Sequence, residues 1–165
     1  MMHQIRTFLR RWQRDERGAA LAEMAILILP FLLCMAIIFE GGRIFWSYQI
    51  AAKAVRDGAR YMSRVDDPTN AAAQTVARNI ISTGRVSGGA PLMGPWSDTS
   101  NIGIVVTTYD NSAGTLRGAN TINIVAVTAD VTFPLPFAPV LQFLGSAVPN
   151  QLTYTIGDQV RHYGL

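Results

Sequence analysis

From Ala19 to Phe39 the chain runs 21 positions with a single charge, Glu23. As a helix this stretch would be about 31 Å long at 1.5 Å per residue. The hydrocarbon core of a bilayer is about 30 Å thick. A run of that length and composition therefore predicts a membrane-spanning helix rather than a buried helix of a water-soluble domain. Pro30 sits in the middle and removes one backbone hydrogen bond, a defect that membrane helices tolerate.

The charge distribution orients that helix. Of the net +3, all belongs to residues 1–18, where Arg6, Arg10, Arg11, Arg14 and Arg17 stand against Asp15 and Glu16. The remainder is balanced. A basic cluster just before an apolar run keeps its side of the membrane cytoplasmic, so the sequence predicts a cytoplasmic N-terminus and an exported remainder. Nucleic-acid binding fits this placement poorly, because the basic tail adjoins the membrane run. A cleaved secretory signal has an apolar core of about 7–15 residues and a small-x-small site after it. The run here is longer, and Phe39-Glu40-Gly41-Gly42-Arg43 is a poor site.

Little in the chain carries chemistry. Cys34 is the one cysteine, so no intrachain disulfide can form, and His3 and His162 lie at opposite ends. No Cys/His metal spacing, P-loop, G-x-S-x-G or H-E-x-x-H pattern is present. Asp66-Asp67 is a carboxylate pair, but adjacent side chains diverge on a helix. The expectation is a protein without catalytic activity, cofactor, metal or small-molecule substrate.

Glu23 needs a reason, since a lone carboxylate in an apolar setting costs a few kcal/mol or more. Gly18 precedes the run. Were the chain cut between Gly18 and Ala19, Ala19 would carry a new α-amino group, cationic below a pKa of about 8. Glu23 lies four positions after Ala19, on the same helix face. It could then pair with its own amino terminus or with that of a neighbouring chain. The cut would also remove the basic leader.

A basic leader, a glycine, a glutamate five positions on and an apolar helix together resemble the processing site of type IV prepilins. The longer pattern is similar to the TadE-like family of tight-adherence (Flp) pilus assembly proteins. It consists of Arg17-Gly18, Glu23, Pro30, Gly42-Arg43 and Ala54-Val55-Arg56-Asp57-Gly58-Ala59-Arg60-Tyr61, over roughly residues 17–62. Met24 departs from the aromatic residue that related pilins place after the glutamate. The resemblance implies a minor pilin-like (pseudopilin) component in the inner membrane, cut by a prepilin peptidase between Gly18 and Ala19. Its implied partners are the bilayer, the peptidase, and other pilins or assembly proteins through the helix, with a periplasmic head and possible entry into a pilus. The other reading is an uncleaved single-pass anchor carrying a periplasmic binding module.

The expected organisation is a leader over 1–18, a transmembrane helix over 19–39 and an exported α+β domain over 40–165. Residues 43–65 continue as a helix, with Ile44, Tyr48, Ala51, Val55, Ala59 and Met62 forming one apolar stripe. Ala54, Gly58 and Ala59 permit close approach of another backbone, either another subunit's helix or the protein's own sheet. Asp67-Pro68 reads as an N-cap with proline at the first helical position, and Gly84 as the stop. Trp96 lies in a Gly/Pro/Ser loop and reads as a plug over the core. Strands follow at 101–109, 121–133 and 151–163, with Val125, Val127, Ala129, Val131 and Phe133 on one face. A short helix is expected in FAPVLQFLG, and a bulge at Gly157. Three strands with one apolar face need a helix to cover them. The fold class is therefore α+β: a long N-terminal helix continuing into a stalk, with a small antiparallel, pilin-like head.

Overall fold

The computed structural model describes residues 16–143 and 145–164. Arg6, Arg10, Arg11 and Arg14, expected to set topology, lie outside the described residues, as does the side chain of Arg17. The chain divides into two compact units between Gly41 and Gly42. The fold is α+β, as the sequence predicts. It has a long helix α1 (Glu16–Met62), a second helix α2 (Ala71–Thr83), and strands β1 (Ile102–Asp110) and β2 (Thr121–Pro134). A short helix α3 (Ala138–Phe143) and strand β3 (Gln151–Arg161) follow.

In the first unit α1 is exposed along most of its length, with Glu40 near its end buried. Twelve large apolar side chains between Leu21 and Phe39 are 44–73% exposed. The helix continues through Pro30 and through Gly41-Gly42 without a break in its assignment.

The second unit has its own core. The sheet is an antiparallel meander in the order β1-β2-β3. Val125, Val127, Ala129 and Val131 of the central strand are fully buried. They pack into one cluster with Ala51, Val55, Ala59 and Met62 of α1 and with Ala77 and Ile81 of α2. Each buried Val or Ile removes apolar surface worth about 1.5–3 kcal/mol from water. From Ala51 onward the apolar stripe read from the sequence is the core-facing stripe, whereas Ile44 is only half-buried and Tyr48 is half exposed, both outside the core cluster.

The helix and the sheet run alongside each other for the whole length of the strands. At one end, the Arg43 guanidinium donates to the Pro134 carbonyl. At the other, the Tyr163 amide donates to the Ser63 carbonyl at 2.9 Å. Residues 43 to 63 of a helix span about 30 Å, close to the length of ten residues of strand. The sheet end that carries Pro134 and Gln151 therefore lies level with Arg43. The turn between β1 and β2 lies level with the end of α1.

Three local expectations are corrected. The N-cap of α2 is Asn70, whose side chain accepts from the Ala72 amide at 2.8 Å. Asp67 instead closes a turn, accepting from both the amide and the hydroxyl of Thr69. Gly157 is not bulged: it stands in regular register opposite Thr128. A Cβ there would meet Thr128 Cγ2 at 3.4 Å, an ordinary contact. Gly58 abuts Ile81 and Ala77, so its close neighbour is α2 rather than the sheet. Gly84 ends α2 as read, in the left-handed conformation at φ +73°. Trp96 is buried within a 3-10 turn, as the plug reading has it.

Candidate membrane and assembly interface

The sequence singled out Gly18, Ala19 and Glu23. All three lie on α1 and are exposed. Gly18 has open space where a Cβ would be. The helix sets Ala19 and Glu23 four positions apart, about 6 Å along the axis. The downstream surface is apolar all round. Gly18–Met62 is the one described helix long and apolar enough to cross a membrane. Exposed apolar side chains on every face suit a lipid or helix-bundle surrounding rather than water. Cys34 is free and exposed within this stretch.

The second part of the candidate interface begins at Arg43. Its guanidinium carbon lies 5.6 Å from the Phe133 ring centroid, a cation–π geometry. Phe133 stacks on Tyr154 at 6.2 Å, and Tyr154 meets Tyr48 at 5.8 Å. Partial burial holds the Tyr154 hydroxyl above its usual value of 10.0, with a smaller contribution from Tyr48. This aromatic column fastens the first turns of the second unit to the end of the sheet. Sequence reading did not find it. The signal available was the Gly42-Arg43 pair followed by aromatic residues, which reads as a pattern but names no partner. Just beyond Arg43, Phe45 and Trp46 project outward and are largely exposed.

The far end of α1 is polar and basic. Arg56, Arg60 and Arg64 are exposed. An open groove of about 710 Å³ is lined there by Arg60, Tyr61, Arg64, Asp67, Asn70 and Val76. The C-terminal residues close over this region, with the His162 ring nitrogen 2.6 Å from the Val65 carbonyl. Hydrogen bonds from Thr69 hold the Asp67 carboxyl below its ordinary value. Asp98 and Asp110 are lowered in the same way by Ser100 and Ser112, the backbone amide first in each case. These carboxylates serve turns. Among the described residues no group of three or more His, Cys, Asp or Glu side chains is gathered that could hold a metal ion.

One apolar, membrane-length helix and a small α+β head packed on its second half define a candidate single-anchor membrane protein. Residues 18–60 match the family model described as TadE-like protein. That stretch is similar to the TadE-like family over about a quarter of the chain. It spans the apolar half of α1, the Arg43 contact and the Gly58-Ala59 packing site. No curated protein and no solved structure matches the chain.

Proposed function

We propose that the protein is a minor pilin-like component of a tight-adherence pilus assembly system. In this reading residues 1–18 are a cytoplasmic leader, 19–39 cross the inner membrane, and 40–165 form a periplasmic domain. A prepilin peptidase hydrolyses the Gly18–Ala19 amide, leaving a carboxylate on Gly18 and an amine on Ala19. Glu23, one turn on, pairs with that amine or with its counterpart on a neighbouring helix. The mechanism is packing. The apolar helix associates laterally with other pilin helices, and the head makes the specific contacts. The protein is a substrate of processing and not a catalyst.

The observation that carries this reading is the TadE-like match over 18–60 on a helix whose first half exposes its apolar side chains all round. The alternative is an uncleaved anchor carrying a binding module. It draws support from Gly18 lying inside α1, since a protease needs its substrate extended. N-terminal sequencing of the protein from its native membrane tests both. Ala19 as first residue is the expected result, and an intact Met1 would replace the proposal with the plain anchor. Gly18→Ala, with the peptidase present, is expected to keep the slower gel mobility of the full-length chain.

A further inference from the structure

The connection between β2 and β3 has a composition unlike the rest of the head. From Val131 to Gly157 the sequence contains no Asp, Glu, Lys, Arg or His. Within it, residues 135–143 and 145–150 belong to a loop whose ends meet through the Leu135 amide and the Asn150 carbonyl at 2.8 Å. Compact surface loops of this size are self-packed units. This one bonds several of its own polar groups to one another. The Gln142 side chain donates to the Val148 carbonyl at 2.7 Å and to Asn150 Oδ1 at 3.0 Å. The Gly145 and Ser146 amides donate back to the Gln142 and Leu141 carbonyls. Alongside exposed Gln142, Ser146 and Asn150, the loop presents two large apolar side chains outward: Phe143 is 90% exposed and Val140 about half exposed.

A loop in water gains nothing by turning its amides inward and its phenylalanine outward. In the apolar border of a bilayer it gains both ways. Unpaired polar groups are costly there, and Phe is drawn in. The position of the loop selects this occupant. Its stem is Phe133-Pro134, the pair held by Arg43. Arg43 is the fourth residue after Phe39, where the chain leaves its apolar run. Exposed Phe45 and Trp46 flank the same point on α1, the kind of aromatic residue that settles at headgroup level. The 111–120 turn, by contrast, sits at the opposite end of the sheet.

We infer that the 135–150 loop is a second membrane contact: Val140 and Phe143 insert into the headgroup–acyl boundary of the bilayer that α1 enters. The inference rests on the membrane-anchor part of the proposed function and is independent of cleavage. The head then stands on the membrane at two points, the helix and the loop.

The test uses the full chain reconstituted in phosphatidylethanolamine/phosphatidylglycerol vesicles with and without brominated acyl chains. An environment-sensitive fluorophore is attached, in a Cys34→Ala background, at Phe143→Cys, at Val140→Cys, or at Leu116→Cys in the distal turn. A fourth sample carries the label on native Cys34. Bromolipid is expected to quench the labels at 140 and 143 at least about threefold more than the label at 116, with iodide showing the reverse order. Equal iodide access at 143 and 116 would overturn the inference. So would a label at 143 shielded from iodide yet untouched by bromolipid, which means a protein neighbour covers the loop. Quenching at Cys34 without quenching at 143 defeats the loop contact alone. No quenching at Cys34 defeats the anchor reading with it.

Discussion

Gly58 of α1 packs directly against Ile81 of α2: a Cβ at position 58 would lie 2.6 Å from Ile81 Cδ1 and closer still to Cγ1. Elsewhere on a helix, Gly→Ala stabilises by up to about 1 kcal/mol. Here the contact wins, because real Cβ atoms do not approach so closely and Ile81 is fully buried with nowhere to go. Gly58→Ala is expected to destabilise the head by about 1–3 kcal/mol, the usual range for overpacking a core. Chemical denaturation of the detergent-solubilised chain measures it. Combined with Ile81→Ala, the loss should be smaller than the sum of the two single losses, as for residues that share one contact.

Arg43 joins α1 to the end of β2 through a hydrogen bond to Pro134 and through the face of Phe133. Lysine keeps the charge but loses the planar fork and most of the stacking. Arg43→Lys is expected to lower stability by about 0.5–1 kcal/mol, the scale of an exposed cation–π contact. Arg43→Ala should cost more. Equal melting temperatures for the Lys variant and the wild type would remove the stacking contribution.

Trp96 fills the core from a 3-10 turn and is almost wholly buried. Trp96→Ala is expected to cost about 3–5 kcal/mol, because the turn cannot close the space. Trp96→Phe keeps much of the volume and should cost less than half of that. Urea midpoints at constant slope would establish the order.

Acid should weaken the head. Asp67, Asp98 and Asp110 are held below the ordinary carboxylate value of 3.8 by hydrogen bonds from Thr69, Ser100 and Ser112. A carboxylate with a lowered folded pKa contributes stability that is complete above its unfolded pKa. That contribution is lost as pH falls through the folded value. The melting temperature should therefore fall from pH 5 toward pH 2. Asn at all three positions retains an acceptor for each turn, so the triple variant should show a shallower fall. Tyr154 behaves oppositely. Its raised value contributes stability below pH 10.0 that is lost as pH climbs through the folded value, and Tyr154→Phe should flatten the alkaline limb.

The features legible in the sequence were those governed by one-dimensional patterns. The apolar run fixes a helix by length alone, and the alternation from Val125 to Phe133 declares the buried face of β2. Gly84 needed only its position after an apolar face. What escaped depended on competition or on distance. Asp67-Pro68 has the chemistry of a helix start, but the Thr69 hydroxyl and amide claim the carboxylate and shift the cap to Asn70. Gly157 looked like a bulge, yet it pairs in regular register opposite Thr128 on the adjacent strand, a pairing that no local signal announces. The Arg43 contact joins residues 91 positions apart, and nothing local announces it. Around Gly18, the spacing to Ala19 and Glu23 was legible directly. Their exposure on α1 adds the helical setting in which that spacing has meaning.

The division of α1 has a consequence for how such a protein can change. Its second half supplies Ala51, Val55, Ala59 and Met62 to the head's core, while no residue before Gly42 belongs to that core. The two halves therefore answer to different constraints: the second to the sheet and α2, the first to whatever surrounds its exposed apolar side chains. Substitutions that retune the first half leave the folding of the second untouched. The first half can diversify at its exposed apolar positions while the core of the second stays intact.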